Sequence, residues 1–287
     1  MKKQYTITIL TFTIVFGLPL LLNQDSSTQD RVEEGELNNV SSFKYYLDEG
    51  NSSIEDKMKK QDVVIVEPVV MDEAYIQAAQ NSGTLVYGYI NSMEADKWKE
   101  DLYEQFNEDD FFVENGKKVY FSEWDSYLMD MTSKHYQDVL LDEVEAEVAD
   151  KGLDGVFLDT VGNIDSQFEG DPVVLKEQRE AMATFMQRIE EKFPRLSISQ
   201  NWGIDTLVEH TAPYVDFIMW EDFSYSTVNN DAWSEDRMES LKQVRDDYGT
   251  EVFTVSFKEK EESRKLAEQH DFKHVHNAEG SYYNTWE

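Results

Sequence analysis

Gly155-Val156-Phe157-Leu158-Asp159, running on into Thr160-Val161-Gly162-Asn163, is the stretch around which the chain is organised. Three consecutive apolar residues after a glycine read as a strand buried on both faces, the mark of a parallel sheet covered by helices. The strand closes on a carboxylate and opens into a Gly/Asn loop. Val215-Asp216-Phe217-Ile218-Met219-Trp220-Glu221 has the same form and is again closed by an acid. In a barrel of alternating strands and helices, chemistry sits at the C-terminal ends of the strands.

Working outward, the same punctuation recurs along the chain. Phe43–Leu47, Asp62–Glu67, Leu85–Ile90, Leu196–Asn201, Glu251–Ser256 and Phe272–His276 all read as strands. Between them lie helical patterns near 54–60, 72–82, 134–149, 172–192, 204–210, 234–248 and 258–269, with Pro172 at a helix-start position and Gly83 and Gly249 at helix ends. From about Ala95 to Thr132 runs a long excursion in which Asn115-Gly116 marks a tight hairpin within Phe111–Phe121. An excursion of that length on a compact domain points to function. About eight strands alternating with helices predict an α/β fold, a single-domain (β/α)8 TIM barrel. A doubly wound sheet would show the same alternation, and count and length favour the barrel. The domain is expected over 41–287, preceded by an acidic polar linker at 23–40. Residues 1–22 combine Met1-Lys2-Lys3 with an apolar run from Tyr5 to Leu22, as in a signal peptide or an N-terminal membrane anchor. That places the protein outside the cell or at its surface.

The 287 residues carry 26 Lys and Arg against 59 Asp and Glu, a formal charge of −33. Such a balance argues against nucleic acid, which needs clustered cations. It suits a cationic partner, or a salty habitat in which acidic surfaces keep proteins soluble. With no Cys, the fold does not rest on disulfides, and thiol nucleophiles and Cys-based metal sites drop out. The five His do not form a metal set, although His274 and His276 share a strand face, and no Gly-x-Ser-x-Gly elbow occurs. The reading therefore calls for no metal and no cofactor.

In a barrel, Glu67, Asn91, Glu94, Asp159, Asn201, Glu221, Ser256 and His276 fall at or just after strand ends and face one mouth. Tyr46, Tyr89, Trp202, Trp220 and Tyr225 cluster at the same ends. Flat apolar faces beside hydroxyl-bonding side chains suit sugar recognition. Two strand-end carboxylates are what glycoside hydrolysis needs. Asp159 and Glu221 are the candidates for that pair, and the other named residues, Ser256 apart, are candidates for holding the substrate. Asp154 and Asp216 precede the apolar parts of their strands and belong to the far, structural face.

The succession Tyr89-Ile90-Asn91-Ser92-Met93-Glu94, Gly155–Asp159, Ser199-Gln200-Asn201 and Trp220-Glu221 resembles glycoside hydrolase family 114, over roughly Phe43 to His276. That family groups endo-α-1,4-polygalactosaminidases with related barrel proteins of unknown activity. The resemblance implies a (β/α)8 barrel acting on galactosamine-rich exopolysaccharide, with Asp159 and Glu221 as the catalytic pair. Two departures bear on the substrate rather than on that pair. Val161-Gly162-Asn163 stands where many relatives have an acid, and Asn91-Ser92-Met93-Glu94 stands where Ser-Ile-Gly-Glu is frequent. Asp159 as nucleophile or charge stabiliser and Glu221 as acid/base is the expected division, and on sequence grounds the roles can be exchanged. The alternatives are a non-catalytic polysaccharide-binding barrel of the cell surface or matrix, or a hydrolase of a different α-linked glycan.

Overall fold

The computed structural model describes residues 36–286. The predicted export segment and most of the predicted linker lie outside the described residues. Eight strands build the central sheet: β1 (Phe43–Tyr46), β2 (Val63–Val66), β3 (Leu85–Asn91), β4 (Gly155–Asp159), β5 (Ser197–Asn201), β6 (Phe217–Glu221), β7 (Glu251–Ser256) and β8 (Lys273–His276). All neighbours are parallel and follow one another in chain order without a reversal. A doubly wound sheet must reverse its strand order, so the topology is that of a barrel. It is nearly closed. At the β8–β1 seam the chain after β8 crosses over, and the Leu47 N–H donates to the Tyr283 carbonyl at 2.9 Å.

Alternation along each strand sorts the apolar residues into two layers. Phe43, Tyr45, Val63, Ile65, Tyr87, Tyr89, Phe157, Phe217, Met219, Phe253 and Val255 fill the barrel interior. Val64, Val66, Val86, Ile90, Val156, Leu158, Ile198, Ile218, Trp220 and Val252 face the helices. Inside, the Phe217 and Phe253 rings stack at 4.3 Å. Leu37 and Val40 are buried in the interior cluster. The end of the predicted linker is therefore part of the packed unit, because its two apolar residues are needed to cover the aromatic interior.

Gly155 starts β4 because no side chain fits there. A Cβ would stand 2.3 Å from the Tyr87 ring and 2.7 Å from the Ser197 carbonyl oxygen. The space it leaves lets Tyr87 lie across the interior and donate to Ser197 Oγ at 2.8 Å. At the N-terminal face one device repeats. Asp62, Asp154 and Asp216 each stand one residue ahead of β2, β4 and β6 and accept an N–H at the start of the strand before. The donors are Ser42 at 2.9 Å, Val86 at 2.7 Å and Ile198 at 2.9 Å.

Side-chain caps start most of the longer helices: Asn51, Asp72, Ser133, Asp171 and Asp231 each accept first-turn N–H groups. The helix after the excursion is α-helical over Lys134–Glu143 and widens to a π-helical turn over Val144–Ala149. The stretch after β5 likewise passes from Ile204–Thr206 into a π-helical turn at Leu207–Thr211. The segment after Asp159, read as a loop, holds a short helix, Gly162–Gln167. Its poor helix formers are overruled by tertiary contacts, chiefly Asp165 with the largely buried Arg179 at 2.7 Å. In the excursion, Glu94–Asp96, Ser126–Leu128 and Tyr120–Phe121 form a three-stranded antiparallel sheet. Val113–Glu114 and Lys117–Lys118 form the hairpin, turned by Asn115 and Gly116 at φ 51° and 76°.

Gly155→Ala is expected to destabilise the fold by about 1–3 kcal/mol through overpacking against Tyr87. Gly170, which has open space around its Cβ position, should accept alanine within about 0.5 kcal/mol. Urea unfolding of the two variants beside the parent checks the contrast.

Candidate active site

Asp159, Asn201 and Glu221 end three consecutive strands, β4, β5 and β6, two residues beyond the inward-facing Phe157, Ser199 and Met219. Strand alternation therefore turns all three inward at one mouth. The Asn201 side-chain amide joins the two acids: its Nδ2 donates to Asp159 Oδ1 at 2.8 Å and to Glu221 Oε1 at 2.9 Å. Asn201 Oδ1 is buried without a partner.

Directly after these residues, Thr160, Trp202 and Asp222 adopt φ of 62°, 56° and 51°. Left-handed backbone is costly for ordinary residues and most of all for a β-branched one. Thr160 is held there by three bonds. Its N–H donates to Asp159 Oδ1 at 2.7 Å, its hydroxyl to Asn91 Oδ1 at 2.6 Å, and Met93 N–H donates to that hydroxyl at 2.9 Å. The bends release the chain sharply and leave each strand-end side chain in place.

Burial, and next the charge of Asp159, push Glu221 up to about 8, against the pull of Asn201 and Tyr283. Glu221 therefore carries a proton at neutral pH. Tyr283 comes from the segment after β8. Its ring centroid lies 4.0 Å from that of Tyr45, and its hydroxyl is buried beside Glu221 without a partner at full hydrogen-bond geometry. Burial and the charge of Asp159 also raise the phenols of Tyr45 and Tyr89 well above their ordinary range.

The mouth opens into a cavity of about 1070 Å³. Asp159, Glu221, Glu67, Tyr89, Asn91, Glu94, Asn201 and Trp202, all expected from the sequence, line it. Glu94 is buried, accepts from the Ser126 hydroxyl and from Asn163 Nδ2 at 2.7 Å, and is raised chiefly by burial. Asn163 thus serves as an amide donor. Glu67 is committed to a buried ion cluster, with Lys99 Nζ 3.3 Å from Glu67 and 3.1 Å from Glu143. Burial works against the Lys99 charge, but the two carboxylates outweigh it and raise its pKa.

Five expected residues do not line the cavity. Tyr46 and Trp220 point outward, one residue out of step with the inward face. Tyr46 donates to the Glu49 carbonyl at 3.0 Å, and Trp220, 1% exposed, is packed against Trp202, Phe223 and Trp233. Tyr225 begins a one-turn helix on the rim, Tyr225–Val228, held by its N–H to Ser263 Oγ at 2.9 Å. Ser256 and His276 meet each other at 3.0 Å, with His274 on the same hydroxyl. Burial pushes His274 down to about 4. Among the described residues no cluster of three His, Cys, Asp or Glu is arranged to hold a metal ion.

The structure adds residues that the sequence reading missed: Tyr45, Asp96, Trp98, Trp124, Trp233 and Tyr283 also line the cavity. Tyr45 has a signal in the chain, since it keeps step with Phe43 on an inward face. Asp96 accepts from Asn91 Nδ2 at 2.9 Å and is pushed up to about 7, chiefly by burial. It sits on a short strand inside the excursion, where no periodicity marks it.

Comparison with known proteins agrees with this architecture. The model of glycoside-hydrolase family GH114 matches residues 24–286. The glycoside hydrolase domain of PelA from Pseudomonas aeruginosa superposes with a TM-score of 0.64 at 18% identity, covering 86% of this chain and 97% of that one. Aspergillus fumigatus Ega3, in a complex with galactosamine, superposes with a TM-score of 0.60 at 15% identity, covering 83% and 91%. An α-galactosidase from Thermus thermophilus gives 0.54 at 11% identity, covering 82% and 58%. At such identities the likenesses speak for the fold. No curated protein matches the sequence.

A pH dependence of stability follows from Glu221. Its native pKa of about 8 lies above the ordinary 4.5, so the folded state keeps a proton that the unfolded state releases. Its contribution to stability is complete at low pH and is lost as pH rises between those values. Glu221→Gln removes this loss. Urea midpoints at pH 5, 6.5 and 8 should therefore show the variant gaining on the parent as pH rises.

Proposed function

The chain belongs to glycoside-hydrolase family GH114, and on that footing we propose that it is an exported, endo-acting hydrolase of a galactosamine-rich polysaccharide, with Glu221 as acid/base and Asp159 as nucleophile. The observation that carries the division of roles is the single Asn201 nitrogen bonded to both carboxylates. It holds the acids close enough for the charge of Asp159 to help keep a proton on Glu221. A carboxyl that keeps its proton beside a second carboxylate is suited to the acid role, and its neighbour to that of nucleophile.

In the first step Glu221 gives its proton to the glycosidic oxygen, the bond from that oxygen to C1 breaks, and Asp159 bonds to C1. In the second, ionised Glu221 takes a proton from water, the water oxygen bonds to C1, and Asp159 leaves as a carboxylate. Each group ends as it began. Two oxygens that both lie within 2.9 Å of one nitrogen are nearer to each other than the roughly 6.5 Å minimum of an inverting pair. This spacing supports retention of configuration.

Charge supports the choice of polymer. Besides the pair, Asp48, Glu49, Glu123 and Glu169 line the cavity, in a protein of formal charge −33. De-acetylated galactosamine carries an ammonium group, and Ega3, of similar fold, holds galactosamine. For export the support is the charged start and apolar run of residues 1–22. No helix among the described residues is long and apolar enough to cross a membrane.

The parent protein should release reducing ends from partly de-acetylated galactosaminan. Glu221→Gln should lose about 10²- to 10⁴-fold in kcat, and Asp159→Asn should lose turnover while still binding the polymer. kcat/KM should fall as pH rises through about 8, where Glu221 loses its proton. Binding should weaken as salt rises, as expected for a cationic ligand. Binding without cleavage by the parent would instead mark a polysaccharide-binding protein.

A further inference from the structure

Two aromatic rings meet over the mouth of the barrel from distant parts of the chain. Trp124 belongs to the excursion after β3 and Tyr282 to the segment after β8, and their ring centroids are 5.8 Å apart at a tilt of 50°. The contact does not bury them: Trp124 stays 44% exposed and Tyr282 57%. Both line the cavity that contains Asp159 and Glu221. Large apolar faces left open at the rim of an aqueous cleft are costly unless something covers them.

The backbone under each ring is fixed. Trp124 precedes Asp125, whose φ is 52°, and Asp125 is held by Lys97 Nζ and the Tyr120 hydroxyl, each at 2.6 Å. Tyr282 accepts from Asn277 Nδ2 at 3.2 Å and precedes Tyr283, which is pinned against Tyr45 beside β1. Across the mouth, four strands round the ring from β1, Trp202 follows β5, and Trp233, 46% exposed, lines the same cavity. The cavity that holds the carboxylate pair thus carries open aromatic faces from separate parts of the chain.

We propose that the Trp124–Tyr282 pair is a sugar subsite on the cavity rim, stacking against the C–H face of a polysaccharide unit other than the two joined by the scissile bond. This rests on the reading of the cleft as a polysaccharide site and goes beyond it by assigning a rim anchor. The platform binds ground state and transition state alike, so it acts on affinity rather than on the chemical step. A long stretch of polymer lying on the carboxylate pair reaches the rim rings as well, and a short oligomer does not.

The test is binding by calorimetry in a Glu221→Gln background, with α-1,4-linked galactosamine oligomers of three and of nine units. Trp124→Ala and Tyr282→Ala should each weaken the nine-unit ligand by about 5- to 30-fold and leave the three-unit ligand within about twofold. Trp124→Leu, which keeps apolar bulk without the flat face, should match Trp124→Ala. Tyr248→Ala, an exposed aromatic outside the cavity, should change neither. Equal losses at both lengths would mean that the ring pair only braces the loops, and no loss at either would remove the subsite while leaving the hydrolase reading intact. Failure of Glu221→Gln itself to bind either oligomer would overturn that reading and the subsite with it.

Discussion

One amide nitrogen bonded to two carboxylates is the constraint on which the rest of the site depends. Asn201 donates to Asp159 and to Glu221 at once, where both side chains are half-buried at the barrel mouth. Two negative charges that close in a low dielectric repel strongly, and the cheaper state keeps a proton on one of them. Glu221 is the one that keeps it. The amide sets the distance and the barrel sets the direction, because the three residues end adjacent strands with the same parity.

Much of the fold serves to hold that arrangement. At the near end, three left-handed residues release the chain directly behind the site, and Thr160 is bonded to Asp159 and Asn91. At the far end, three aspartates bond the starts of neighbouring strands. Between them, an aromatic interior rests on the absence of a side chain at Gly155. Strain at the functional face and stitching at the other fit the usual division of labour between the two ends of such barrels. The chain after β8 completes the site by bringing Tyr283 beside Glu221 and by crossing the β8–β1 seam.

How much of this was legible in the sequence depended on whether the cause was local. Pro172 at its helix start, and the run Glu251–Ser256, mark elements whose bounds the structure reproduces. The acids at 159 and 221 stood out because each closes an apolar strand. Trp220 was misplaced because its strand is apolar on both faces, so hydrophobicity gives no alternation from which to read parity, whereas Tyr46 shares its face with Lys44 and lies opposite Phe43 and Tyr45. The ion cluster of Glu67, Lys99 and Glu143 joins residues far apart in the chain, and nothing at any one of them announces it. Gly162–Gln167 is a helix through contacts made elsewhere, and Tyr283 reaches the site only because the barrel brings its last strand round to its first.

The most direct test of the central claim is a carboxyl NMR titration of Glu221 in the parent and in Asp159→Asn. The account predicts a midpoint near 8 in the parent and a clear downward shift when the charge of Asp159 is removed. A Glu221 that titrates in the ordinary carboxylate range, or one indifferent to Asp159, would contradict it.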